Sequence, residues 1–335
     1  MSENQLLATR DGFAAGLVKA AQVNPNIMAL SADLSDSLKL ADFKKQFPSQ
    51  YVECGVAEQN MIGVAAGLSL LGKIPFATSF ASFNPARNFD QIRNIAYSNL
   101  NLKIVGGHAG LVTGEDGAIH QALEDLSLMI SLPNMRLVSP ADAKQAKLAT
   151  LALAKDLGPS YLRLSRLAVA DLELSLKNLI NKREDSNKFS LDKAQVLTSG
   201  KDLTIVVSGT IAHQAVQACF ELQQLGIRAE LINLISLKPL DLESILLSCQ
   251  KTQALLIISE EQLGSGFNAY LAQQLLNNLG EKNSKPLLTE FVAVNNTFGE
   301  SGTAQQLLSK YHLDSQAILN KTLLLLKKKR KLLSI

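Results

Sequence analysis

The chain has 335 residues, of which 47% are apolar and 19% charged, with no Trp and a formal net charge of +3. Such a length points to two domains rather than one core. The charge excludes a broad nucleic-acid footprint, because several positives sit in the terminal run from Lys327 to Lys331 instead of alternating with aromatics along a face. That basic tail reads as a solvated, frayed helix end.

In chain order, apolar runs of strand length alternate with helical periods: IMALSADL, YVECGV, KIPFATS, LKIVGGHAG, MRLVSPAD and PSYLRLSR, with helices between them. Continuous apolar runs suit strands covered on both faces, so an α/β domain with a parallel sheet flanked by helices is predicted over residues 1–175. Residues 176–192 are polar, charged and aperiodic, and read as a linker. The alternation restarts with DLTIVVSGT, HQAVQACFELQQLG, IRAELINLISL, DLESILLSC and ALLIISEEQ, predicting a smaller α/β domain over 193–335. In this second domain no acid, base or nucleophile group stands out. Gly264 and Gly266 lack the spacing of a dinucleotide loop and suit a turn leading into a helix.

Three cysteines, Cys54, Cys219 and Cys249, are too scattered for a disulfide framework or a metal-binding knuckle, and read as reduced thiols of a cytoplasmic protein. No apolar run is long enough to span a membrane, and the first residues have no basic region followed by an apolar core, so neither insertion nor export is expected.

The stretch YVECGVAEQNMIGVAAGLSLLG places Glu58 where a strand runs into a helix rich in small residues, a face suited to close packing. Locally, an acid in the first turn of a helix needs no function beyond complementing the dipole. At the carboxyl end of a parallel strand, however, it also lies on the edge where open α/β sheets hold ligands. Three further stretches fall on that edge: SADLSDS (31–37), FATSFASFNPARNFDQIRN (76–94) and GGHAGLVTGEDGAIHQALEDL (106–126).

GVAEQNM, FDQIRN, the GHAG and GEDGAIHQALEDL run, PNMRLVSPAD and YLRLSR together resemble the carboxyl-terminal half of a transketolase, in order and at similar spacing. The resemblance runs from near Arg10 through the second domain. The family's magnesium and diphosphate motif, GDG followed by a metal-binding Asn, is missing. The resemblance therefore implies a pyrimidine-binding domain and a transketolase carboxyl-terminal domain of a split enzyme. A separate amino-terminal subunit would hold the diphosphate and Mg2+, thiamin diphosphate would bind at the interface, and a self-dimer would give an α2β2 assembly acting on sugar phosphates.

Carried over by motif, the resemblance implies that Glu58 hydrogen-bonds the cofactor's pyrimidine nitrogen, sharing a proton with it from apolar surroundings. It makes Phe83 and Phe80 ring-packing residues, brings Phe89 near the ring, and puts Asp33 near the cofactor across a subunit contact. His108 and His120 become channel histidines, Asp116 a partner for a sugar hydroxyl, and Arg10, Ser37 and Arg166 phosphate contacts, with His108 joining them. The rival readings from the same residues are turns, caps, core packing and surface charge. Rival functions are half of a deoxyxylulose phosphate synthase, the beta subunit of a 2-oxo acid dehydrogenase, and a non-catalytic binding subunit of the same fold.

Overall fold

A computed structural model describes residues 5–177, 179–185, 188–279 and 286–333. In the first region the strands are β1 (Leu7–Ala8), β2 (Ile27–Ser31), β3 (Tyr51–Glu53), β4 (Ile74–Phe80), β5 (Lys103–Gly107), β6 (Arg136–Val138), β7 (Ser160–Arg163) and β8 (Ala168–Val169). The second contains β9 (Gln195–Val196), β10 (Leu203–Val207), β11 (Ala229–Asn233), β12 (Ser236–Lys238), β13 (Ala254–Gln262) and β14 (Leu288–Val294).

Every residue of β2 and β5 is buried, as continuous apolar runs require of central parallel strands. The larger sheet has the order β12-β6-β7-β5-β4-β2-β3, parallel throughout except where β12 pairs antiparallel with β6. The smaller sheet is ordered β14-β13-β10-β11-β9, with β9 antiparallel. On the larger sheet the helix Thr9–Val23 lies against Ala143–Leu153 so closely that a Cβ at Gly12 would fall 1.9 Å from the Ala143 carbonyl oxygen. Glycine is required there by contact rather than by backbone angle.

The run IRAELINLISL reads as one strand but folds as two. Its first part is β11 of the smaller sheet, and Ser236–Lys238 crosses to extend the larger one. The second domain is thereby stitched to the first. Within the segment read as a linker, Leu176, Leu179 and Leu191 are buried and Arg136 reaches Asp192, so the described part is fastened down; Asn178, Ser186 and Asn187 lie outside the described residues. The basic tail belongs to the helix Ser315–Leu333, which docks rather than frays: Leu325 and Leu326 are buried, and Lys329 Nζ donates to the carbonyls of Asp202 and Thr252. Among the described residues no helix is long and apolar enough to cross a membrane.

One expectation for the helix Glu58–Leu70 is not met inside this chain. A Cβ at Gly63 or at Gly67 would meet no atom of the described structure within 4 Å, so the small face is open, not packed.

Candidate active site

The parallel strands end at one edge, and the residues singled out follow their ends. Asp33 comes after β2, Glu58 after β3, Phe83 after β4, His108 directly after β5, and Arg166 after β7. Sheet topology alone brings these five segments together.

Glu58 opens its helix and is 4% exposed. Its surroundings are not simply apolar, as expected from sequence. Arg87 Nη1 stands 3.2 Å from both carboxylate oxygens, and the Ser79 hydroxyl lies 3.5 Å from Oε1. The Arg87 guanidinium also lies over the Phe83 ring, 4.0 Å from its centroid. A planar cation is thus held between an aromatic face and a buried acid, an arrangement that joins stacking to a charge-assisted hydrogen bond.

The aromatic floor continues from there. Phe80 and Phe83 stack with centroids 5.9 Å apart, Phe80 lies 4.0 Å from the His108 ring, and the His120 ring meets both phenylalanines edge-on at 5.9 and 5.6 Å. His108 is 3% exposed, with a left-handed backbone, φ 55°. Burial, together with the positive charges of Arg10 and Arg166, lowers its pKa to about 3, so the ring is neutral at physiological pH. Arg10 Nη1 lies 3.1 Å from His108 Nε2 and can only donate, which leaves the ring proton on Nδ1. That nitrogen is buried without a hydrogen-bond partner among the described residues, as is Arg10 Nε. Buried polar atoms of this kind are costly unless something else satisfies them.

The expected phosphate and hydroxyl contacts partner one another. Arg10 Nη1 donates to the Ser37 carbonyl at 3.0 Å, and Arg166 Nη1 pairs with Asp116 Oδ1 at 2.9 Å. His120 Nδ1 lies 3.3 Å from the Asp116 carbonyl oxygen. Two candidates have other partners. Phe89 packs against the core and borders a surface groove with Arg93, Tyr97 and Pro133. Asp33 is exposed with φ 60°, and its backbone amide donates to Glu53 Oε1.

Sequence reasoning missed Arg87, whose only signal was the unusual NPAR turn, and Arg163. The latter reads in YLRLSR as one more charge beside Arg166, yet it is buried, with Nε 2.9 Å from Asp125 Oδ2.

Comparison with known proteins agrees with this architecture. Residues 5–171 match the transketolase pyrimidine binding domain, and residues 192–318 the transketolase C-terminal domain. An apulose-4-phosphate transketolase subunit of Phocaeicola vulgatus is 32% identical over 97% of this chain and 99% of its own length. A 6-deoxy-6-sulfo-D-fructose transketolase subunit of Clostridium sp. is 35% identical, covering 92% of this chain and 91% of the relative. A solved split gene transketolase, described as an inactive beta4 tetramer, superimposes with a TM-score of 0.84 at 40% identity over 96% of this chain and 99% of that one. The chain therefore belongs to the transketolase family and corresponds to its carboxyl-terminal section, a pyrimidine-binding domain followed by the C-terminal domain.

Proposed function

We propose that this chain is the carboxyl-terminal subunit of a split transketolase, moving a two-carbon ketol unit from a ketose phosphate to an aldose phosphate. The observation that carries the reading is Arg87, held over the Phe83 ring with its Nη1 shared by the two Glu58 oxygens. A planar group bearing N–H donors is held there by a ring face and a carboxylate, the two contacts an aminopyrimidine needs. The residues present fit thiamin diphosphate on its pyrimidine side: Glu58 would face the ring nitrogen, and Phe83 with Phe80 would support the ring. When bound, that cofactor supplies the acidic ring carbon for the carbonyl chemistry.

This chain contributes proton handling and recognition. Glu58 holds or shares a proton with the ring nitrogen, which requires Arg87 to give up its place. Neutral His108 offers its buried Nδ1–H to a sugar oxygen, and His120 stands across the aromatic floor from it. Arg10 and Arg166, beside Ser37 and Asp116, supply positive charge for an anionic substrate end. The names of the two relatives, a sugar phosphate and a sulfo sugar, share such an anionic group.

In this reading Mg2+ and the diphosphate are held by a separate amino-terminal chain. Support comes from the relatives of similar length named as subunits, from the split-gene relative, and from the open Gly63 and Gly67 face beside Glu58. An α2β2 assembly built on a β dimer follows. Three free thiols fit a reducing, cytoplasmic setting.

The test is to assay the chain with thiamin diphosphate, Mg2+, a ketose phosphate and an aldose phosphate, with and without the amino-terminal chain. Transfer is expected only in the mixture. Full activity from this chain alone would refute the half-site reading, and turnover of a 2-oxo acid instead would favour the dehydrogenase.

A further inference from the structure

The second domain, in which no functional acid was expected, reaches into the loop that carries His108, Asp116 and His120. Glu260, near the end of β13, is 4% exposed, and its Oε1 accepts from the Val112 backbone amide at 2.7 Å. The neighbouring Leu111 amide also favours the ionised carboxylate. Gly110, at φ 86°, passes directly over this group: a Cβ there would lie 2.5 Å from the Glu260 carboxyl carbon. The Glu260 carbonyl in turn accepts from Arg163 Nη2, which also donates to the carbonyl of Ala122 at the far end of the loop.

From Val112 the hold extends both ways along the loop. The Thr113 hydroxyl donates to the His108 carbonyl, and Arg166 Nη1 bridges the Thr113 carbonyl and Asp116 Oδ1. Gln121 Nε2 closes the other side through the carbonyls of Leu111, Gly114 and, in the second domain, Glu300.

We propose that Glu260 is a positioning residue of the active site: its carboxylate, supplied by the second domain, fixes the backbone at Val112 and so sets His108 and Asp116 relative to the Glu58 and Phe83 group. Burial pushes this carboxyl up to about 7, against the opposing pull of Arg163 and the loop amides. An acid so costly to bury is not explained by core packing. Its neighbour Glu261 is a natural control. It is equally buried and lies in the same strand, but its carboxylate accepts from the Phe267 amide at 3.1 and 3.2 Å, at the head of a helix in its own domain.

The inference rests on the transketolase reading, but its test does not need turnover. Hydrogen–deuterium exchange is measured on the whole chain for the wild type, Glu260→Gln and Glu261→Gln. Glu260→Gln keeps the size and one acceptor while losing the charge, and should speed exchange across 109–121 about tenfold or more, with β5 and β10 unchanged. In Glu261→Gln, 109–121 should exchange at the wild-type rate. Unaltered exchange in 109–121 for Glu260→Gln, or a rise no larger than in Glu261→Gln or shared equally by β5 and β10, overturns the proposal. With the amino-terminal chain present, Glu260→Gln should lower kcat/KM for the ketose phosphate about 10- to 100-fold while leaving thiamin diphosphate affinity unchanged. Loss of cofactor affinity in step with kcat/KM would also overturn it. An inert wild-type assembly would refute the function, while the exchange rates alone would still decide the role of Glu260.

Discussion

Glu58–Arg87 and Asp125–Arg163 are both pairs of a buried acid with an arginine, and they differ in how they are closed. The Arg87 side chain is 49% exposed against 5% for Glu58, whereas Arg163 and Asp125 are 8% and 0% exposed. Arg163 Nη2 donates to the carbonyls of Ala122 and Glu260, and Asp125 also accepts from the Tyr161 hydroxyl at 2.7 Å. Arg87 has its guanidinium on the Phe83 face and its Nη1 on Glu58. A sealed pair resists replacement, because removing one member strands the other away from water. A half-open pair exchanges its arginine for another planar donor at small cost. The first arrangement suits a joint between domains, and the second suits a binding seat.

Breaking the open pair from its buried side should give the largest effect. In the assembled enzyme, Glu58→Gln should lower kcat about 10²- to 10⁴-fold by removing the proton-sharing carboxyl, with little change in thermal stability because the half-exposed Arg87 it releases is left to water. Near-normal turnover in a steady-state assay would remove Glu58 from the chemistry.

Breaking the sealed pair should act on stability instead. Arg163→Met leaves Asp125 buried without its cation and should cost about 3 to 5 kcal/mol, read from urea denaturation of the purified chain. A loss as small as that of a surface pair would show that water reaches Asp125.

Arg87→Met sharpens the contrast from the other direction. Its effect on folding should stay within about 1 kcal/mol, and thiamin diphosphate should bind about two- to fivefold more tightly in the assembled enzyme, because the seat is freed. Weaker binding, measured by fluorescence titration, would mean that Arg87 holds the cofactor rather than standing in for it.

The smallest effect at neutral pH concerns His108. Its folded pKa, about 3, is lowered from 6.5 by burial and by Arg10 and Arg166, so the unfolded chain takes up a proton that the folded chain refuses. Stability from this group is fully present above about pH 6.5 and is lost as pH falls towards 3. His108→Asn should therefore flatten the acid fall of the urea midpoint by up to one proton and leave its slope above pH 7 unchanged. An unflattened curve would place a charged ring in the native state.

Much of this was legible in the chain itself. Continuous apolar runs such as IMALS and KIVGG announced buried parallel strands, and covalent order then placed Glu58, Phe83 and His108 just beyond the ends of three of them. The transketolase resemblance named His108 and His120 as channel histidines, but their shared contact with Phe80 came only with the fold. What periodicity reports is that a face is covered, not by what. Arg87 meets Glu58 across 29 residues and Glu260 meets Val112 across 148, and neither leaves a local trace beyond an odd turn or an acid in an apolar strand. The same limit split IRAELINLISL between two sheets, turned Phe89 toward the core, and opened the Gly63 and Gly67 face. These outcomes were decided in the tertiary structure, where free energy depends on which partner fills the space opposite a side chain, and that partner comes from a distant part of the chain.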